Sequence, residues 1–167
     1  MKSAQERIIR SFPPIVNHNS QMLILGTIPG EESLRQQQYY AHRQNLFWKF
    51  ICQVTNKPFT EIYEERRQLL LNNHLALWDV CQTCIREGSL DSDIKEVIPN
   101  SIDQLLEKHP NIHTIAFNGK KAETLFKKHF KYLENINYLS LPSTSPANAS
   151  ISMEIKLRAW RKLANLE

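Results

Sequence analysis

Four short apolar segments alternate with stretches of helical periodicity, and this alternation constrains the fold more than any other feature. The segments are MLILGTI (22–28), LALWDV (75–80), HTIAFN (113–118) and NYLSL (137–141). The first is apolar on both of its faces, which is typical of a strand covered by helices on either side. The sequence therefore predicts an α/β fold whose central sheet is mainly parallel and is covered on both faces.

The stretches between these segments predict the helices that cover the sheet. Apolar residues with helical spacing predict helices over 45–55 and 60–73, from Gly119 onward, and at the end of the chain. Ser101 and Gln104 fit a capping box that opens a short helix to about Lys108. Ser3 and Glu6 fit another, which predicts a helix that ends at Pro13-Pro14.

Length and composition limit the class of protein. A chain of 167 residues with 41% hydrophobic residues is expected to form one domain over residues 1–167. No apolar run approaches the ~20 residues of a membrane span, and the N-terminus lacks the apolar core of a signal peptide. We therefore expect an intracellular, cytoplasmic protein that does not bind a membrane. The net charge of +4 permits a polyanionic partner without demanding one.

All four predicted strands end in polar or loop-forming sequences: GTIPG, DVCQTC, NGKK and PSTSP. Strands of a parallel sheet place their carboxyl ends on one edge, and ligands bind at that edge in open α/β sheets. The sequence therefore predicts a site built from these four endings.

Cys81 and Cys84 form a C-x-x-C motif directly after the second strand. Such a motif fits a thiol oxidoreductase or half of a metal site. A closed tetrahedral metal site needs four ligands, and the remaining cysteine is Cys52. We therefore favour two ordinary cysteines and expect neither a metal nor a cofactor.

Two further segments carry candidate binding residues. YYAHRQNLFW (39–48) combines four aromatics with a His and an Asn; Phe47 and Trp48 are expected in the core, and Tyr39 or Tyr40 at a cleft. LPSTSPANAS (141–150) places hydroxyl residues between two prolines just after a strand. Hydroxyls and backbone N–H groups in such a loop can bind phosphate oxygens, although an ordinary Ser/Pro loop has the same composition.

Together, LILGTIPGEES, YYAHRQNLFW, LWDVCQTCIREGSLDS, FNGKKA and LPSTSPANAS resemble the uracil-DNA glycosylase superfamily. Within it they most resemble the hypoxanthine-DNA (deoxyinosine) glycosylase branch, close to the mismatch-specific uracil glycosylases. The resemblance implies a three-layer α/β/α sandwich around a four-stranded, mainly parallel sheet. It also implies a metal-free, cofactor-free enzyme that acts on DNA containing deaminated bases; we expect a monomer.

The resemblance implies that the loops after the first and fourth strands bind DNA phosphates. The target nucleotide is flipped out of the duplex, the bond from sugar to base breaks with oxocarbenium-like character, and water adds to the sugar. The phosphate-binding residues carried over are Gly26, Thr27, Pro29, Gly30 and Ser33 in the first loop, and Pro142, Ser143, Thr144, Ser145, Pro146 and Asn148 in the fourth.

The first loop departs from the family pattern at the catalytic position. Mismatch-specific relatives have G-I-N-P-G there, and the Asn positions the attacking water, whereas this chain has Ile28. An Ile can shape the pocket but cannot orient water. Asn45, just before F-W, is the candidate replacement because an amide can both hold water and contact the base. A helix cap is the alternative role for Asn45.

Four other residues are assigned to the base or left open. Tyr40 matches the aromatic that stacks on the flipped base, and Phe47 is assigned to the base as well. Asn118 either contacts a base edge or caps the helix that starts at Gly119. Asp79 is either a pocket acid or an acceptor that orders a loop, and we favour the acceptor.

A DNA glycosylase acting on deoxyinosine is the leading function. The alternatives are a uracil or mismatch-specific glycosylase, a non-catalytic binder of DNA lesions, favoured by Ile28, and a thiol oxidoreductase using Cys81 and Cys84.

Overall fold

The four predicted strands form one parallel sheet in the computed structural model, which describes residues 7–164. The strands of this region are β1 (Ile8–Arg10), β2 (Met22–Gly26), β3 (Leu75–Asp79), β4 (Cys81–Ile85), β5 (Lys95–Pro99), β6 (Thr114–Asn118) and β7 (Asn137–Leu141). The parallel sheet has the order β3-β2-β6-β7. Its strands end close to the predicted boundaries, so the fold class is confirmed.

Helices cover both faces of this sheet. The helices of the described region are α1 (Glu31–Gln36), α2 (Phe47–Val54), α3 (Tyr63–Asn72), α4 (Ile102–Lys108), α5 (Lys120–His129) and α6 (Met153–Trp160). Strand β2 alternates between two apolar clusters: Leu23 and Leu25 pack with α4 and α5, whereas Met22 and Ile24 pack with α2, α3 and α6. This alternation produces the three layers.

A second, antiparallel sheet lies beside the first and was not predicted. Its order is β1-β4-β5, with Ile9 opposite Cys84. The predicted N-terminal helix is therefore wrong at Ile8–Arg10, which form a strand because they pair with β4. Ser3 and Glu6, the predicted cap of that helix, lie outside the described residues.

The other helices follow the sequence with small differences. Helix α1 was missed because its polar sequence EESLRQ buries only Ser33. The Ser101 side chain makes no capping hydrogen bond to α4, so the predicted capping box is wrong although the helix is present. Between residues 7 and 164 no helix is long and apolar enough to cross a membrane.

A candidate active site at the carboxyl edge of the parallel sheet

The loop after β2 is packed against the protein rather than open to solvent. Thr27 and Ile28 are 6% and 8% exposed, and Ile28 joins the apolar cluster beside α4 and α5. Ser33 is also buried, and its Oγ accepts a hydrogen bond from the Ala41 backbone N–H at 3.1 Å. Ser33 therefore holds the segment that carries Tyr40, and its predicted phosphate contact stays a prediction.

Gly26, Tyr40 and Asp79 meet at the centre of the edge. Gly26 and Asp79 are paired at the ends of β2 and β3. A Cβ placed on Gly26 would lie 2.6 Å from Asp79 Oδ1 and 2.6 Å from the Tyr40 hydroxyl. Both polar atoms therefore lean over the same glycine, and only a residue without a side chain leaves room for them.

Tyr40 is held in an unusual backbone conformation. Its φ is 54°, in the left-handed region that a bulky residue rarely adopts. The ring stacks on Phe47 with a centroid separation of 4.1 Å. Phe47 itself is fully buried, so we replace its predicted base contact with a supporting role behind Tyr40. The Tyr40 hydroxyl is buried and has no hydrogen-bond partner among the described residues.

Asp79 is a buried carboxyl group with an unsatisfied oxygen. The residue is 3% exposed, and Oδ2 has no hydrogen-bond partner within residues 7–164. Burial raises the pKa of Asp79 to about 7; nearby Asp91 adds to this shift and Arg86 opposes it. Within residues 7–164 no hydrogen bond from a loop reaches the Asp79 carboxyl group, and Thr27 Oγ1 donates to Asp91 Oδ2 at 3.2 Å, so the interpretation of Asp79 as a loop-ordering acceptor is wrong. Asp79 is thus a buried carboxyl group that can hold a proton near neutral pH.

Asn118 joins two of the strand endings. Its Nδ2 donates to Thr144 Oγ1 at 3.0 Å, and its Oδ1 accepts from the Thr144 backbone N–H at 3.0 Å. No side chain caps α5 at Gly119, so the predicted helix cap is wrong. Asn118 holds the loop after β7 against β6, and its predicted base contact stays a prediction.

The loop after β7 is ordered by its own hydroxyl groups. Ser143 Oγ accepts from the Ser145 backbone N–H at 3.1 Å, and Ser145 Oγ accepts from the Ala147 N–H at 3.2 Å. Thr144 is fully buried, whereas Pro146 is exposed. Since a serine hydroxyl that accepts still has its proton to donate, this loop presents donors at the surface more readily than the first loop does.

Asn45 lies beside the same loop. The backbone N–H of its neighbour Leu46 donates to Thr144 O at 3.1 Å. Asn45 Oδ1 accepts from the Phe47 backbone N–H at 3.0 Å, which is the geometry of a cap at the start of α2. Among the described residues no acceptor is found for its Nδ2. The structure thus brings Asn45 to the predicted edge and gives its oxygen a local partner.

Residues 86–91, called here the 86–91 segment, hold the first loop in place through hydrogen bonds. Arg86 is 1% exposed, and its guanidinium donates to Pro29 O at 2.6 Å and to Gly88 O. Ser89 Oγ accepts from the Glu31 backbone N–H at 2.9 Å. The burial of Arg86 could not be predicted, because this residue stands in a polar stretch with no apolar periodicity.

The environment of the three cysteines does not favour reactive thiols. Cys52, Cys81 and Cys84 are all free and buried. Burial raises the pKa of Cys81 to about 12, and it also raises the pKa of Cys84. Reactive thiols have lowered pKa values, so this environment opposes thiol chemistry. In the described part of the chain no three His, Cys, Asp or Glu side chains group as metal ligands.

The chain matches a known protein family over most of its length. Residues 13–164 match the family model described as the uracil DNA glycosylase superfamily. A hypoxanthine DNA glycosylase from Methanosarcina acetivorans is 36% identical over 148 residues, which cover 87% of this chain and 91% of the relative. Another from Methanosarcina barkeri is 38% identical over 114 residues, covering 68% and 72%.

A solved structure agrees with these sequence relatives. A chain from Methanosarcina acetivorans, determined by NMR in solution and described as a candidate uracil DNA glycosylase, superposes with a TM-score of 0.79. The two are 34% identical over 94% of this chain and 99% of the other. The protein belongs to the uracil DNA glycosylase superfamily, which confirms the resemblance seen in the sequence.

Proposed function

We propose that this protein is a DNA-deoxyinosine glycosylase that removes hypoxanthine from DNA. The observation that carries the proposal is the similarity to two hypoxanthine DNA glycosylases, one of them over 87% of the chain. Support also comes from the edge of the sheet, where the Tyr40 hydroxyl and Asp79 Oδ2 are buried and have no hydrogen-bond partner among the described residues. A planar base with polar edges would stack on the Tyr40 ring and would offer hydrogen-bond partners to these atoms.

The proposed reaction begins with phosphate binding and base flipping. The loop after β7 binds the DNA backbone through Ser143 and Ser145, whose hydroxyl protons are free to donate. The target nucleotide leaves the duplex, and its base stacks on the face of Tyr40 opposite Phe47. Base–aromatic stacking contributes about 1–3 kcal/mol.

Asn45 is proposed to act at the reacting bond. In this proposal its amide holds the water that adds to the sugar, the role that Ile28 cannot take. Its position beside Thr144 supports the assignment, and its hydrogen bond to Phe47 N–H fixes the direction of the amide. The buried Ile28 then serves as apolar support beneath the pocket rather than as a polar contact.

The test is base release from duplex oligonucleotides that contain hypoxanthine, uracil or xanthine, with abasic sites as the readout. Hypoxanthine release in the presence of EDTA is the expected result. Preferential uracil release would instead establish a uracil glycosylase, and lesion-specific binding without release would establish a non-catalytic binder. The double variant Cys81→Ser, Cys84→Ser is expected to keep its activity within a few-fold, since the reaction uses no thiol.

A further inference from the structure

The side chain of Asp79 has no structural task in the fold, although its backbone is firmly held. The Asp79 carbonyl accepts from Asn100 Nδ2 at 2.8 Å, and β3 pairs with β2 along its full length. Its carboxyl group, in contrast, is buried with Oδ2 unpartnered within the described residues. Leaving a buried polar group without a partner is unfavourable for folding. A cost of this kind is retained where the group serves the site.

The carboxyl group lies close to the hydroxyl of Tyr40, the residue on which the base is proposed to stack. Asp79 Oδ1 and the Tyr40 hydroxyl both lie 2.6 Å from the place where a Cβ on Gly26 would stand. The two oxygens are therefore no further apart than twice that distance. A base stacked on Tyr40 would have its edge within reach of the Asp79 carboxyl.

We propose that Asp79 is the general acid that protonates the departing purine at a ring nitrogen. The proposal rests on the proposed removal of hypoxanthine. Hypoxanthine in DNA has lone pairs on N7 and N3, whereas uracil in DNA has no such ring nitrogen. A proton donor at Asp79 therefore assists the loss of a purine in a way that has no counterpart for uracil.

The step balances in protons and electrons. The bond from C1′ to N9 breaks, and its electron pair leaves on the base. The Asp79 proton passes to N7 or N3, so that hypoxanthine leaves as a neutral molecule. The oxygen of water bonds to C1′, and one water proton returns to the Asp79 carboxylate. The enzyme is thus restored after each turnover.

The surroundings of Asp79 suit this exchange. A general acid works best when its pKa lies near the operating pH, and the pKa of Asp79 is raised to about 7. No salt bridge to Asp79 occurs within residues 7–164. Arg86 is the positive group that acts on it, and its guanidinium also donates to Pro29 O and Gly88 O. The titratable and charged groups that interact with the carboxyl from the neighbouring elements are Tyr39, Tyr40, Cys81, Arg86 and Asp91.

Single-turnover release of hypoxanthine by the Asp79→Asn variant tests the proposal. Asn keeps the size and hydrogen bonding of the side chain but cannot transfer the proton. We expect a loss of about 100- to 10,000-fold, the usual contribution of general acid–base catalysis. The wild-type rate should fall as pH rises through about 7, and the rate of the variant should not. Asp93→Asn is the matched control, because it removes the same charge at an exposed position. It should keep the wild-type rate and pH profile.

A second measurement needs no variant. Duplexes that contain 7-deaza- or 3-deaza-deoxyinosine replace one candidate nitrogen by carbon. One of the two should be released by the wild type at least 100-fold more slowly than deoxyinosine, which identifies the nitrogen that accepts the proton. Rapid release of both analogues, or a wild-type rate and pH profile in Asp79→Asn, would overturn the proposal. If the wild type released no hypoxanthine, the proposed function would fail instead.

Discussion

Gly26 and Asp79 stand side by side at the ends of two parallel strands, and the acid occupies the space that a side chain on the glycine would need. The distance from Asp79 Oδ1 to the ideal Cβ position on Gly26 is 2.6 Å, shorter than a normal contact between such atoms. The glycine therefore determines where the acid lies. Because the Tyr40 hydroxyl is equally close to the same point, the glycine also leaves the space that this hydroxyl occupies.

Gly26→Ala should disturb the site more than the fold. The added methyl group forces Asp79 and Tyr40 apart, and overpacking of this kind typically costs about 1–3 kcal/mol. We expect at least a tenfold loss of single-turnover base release with little change in affinity for undamaged DNA. Gly88→Ala is the control because its Cβ would meet nothing within 4 Å. Equal rates in the two variants would contradict the placement of the pocket.

The stability of the protein should depend on the ionisation of Asp79. Its ordinary pKa of 3.8 is raised to about 7 in the fold, so the folded state binds more protons than the unfolded state between these values. The stabilising contribution of the protonated acid is therefore present at low pH and is lost as pH rises toward 7. Each unit of pKa shift corresponds to about 1.4 kcal/mol.

Urea unfolding of Asp79→Asn and the wild type over this pH range measures the effect. The variant should have the larger free energy of unfolding at about pH 8, where the wild type buries a charge, and its advantage should shrink toward about pH 4. A constant difference across the range would mean that Asp79 does not titrate there.

Asn45→Ala separates a catalytic amide from a helix cap. If Asn45 holds the water, the variant should lose about 100- to 1,000-fold in single-turnover base release, with DNA affinity nearly unchanged. A cap alone is worth ~1 kcal/mol of stability and should hardly affect the chemical step. Ser152→Ala is a matched control, since Ser152 Oγ caps α6 by accepting from the Ile155 N–H. A lowered melting temperature with near-normal release would leave Asn45 as a cap.

The loop after β7 and Tyr40 should act on different steps. Ser143→Ala and Ser145→Ala should weaken binding to duplexes with or without a lesion, because phosphate contacts carry no sequence information. Tyr40→Ala should mainly reduce lesion processing. Ser150→Ala, an exposed serine further along the same segment, is the control for DNA binding. If Tyr40→Ala weakened binding to undamaged DNA as strongly as the serine variants, this division of roles would be incorrect.

The parallel sheet was predictable because its strands are determined by local sequence. A five-residue apolar run such as Met22–Gly26, buried along its whole length, carries its own signal. The antiparallel sheet gave no such signal. Strand β1 has three residues and depends on partners more than seventy positions away, so its Ile8 and Ile9 fitted a helix equally well.

The site shows the same division between local and tertiary information. Tyr40, Asn45 and Ser143 could be selected because they stand in segments with a distinctive local pattern. The role proposed for Asp79 could not be read from its position at the end of β3, because its burial and its unpartnered oxygen arise from the packing of β2, Tyr40 and the 86–91 segment. Phe47 was assigned to the base, but the fold places its ring behind Tyr40.

The hydrogen bonds between the first loop and the 86–91 segment couple the candidate site to the small antiparallel sheet. The Arg86 side chain bonds Pro29 O, while the Arg86 backbone N–H donates to Arg7 O across the antiparallel sheet. The loop and the small sheet should consequently open as one cooperative unit, as contiguous hydrogen-bonded elements do in native-state exchange. The amide hydrogens of Glu31 and Arg86, far apart in sequence, would then exchange with solvent at the same rate. During folding, the first loop can therefore reach its final position only after β4 has paired with β1.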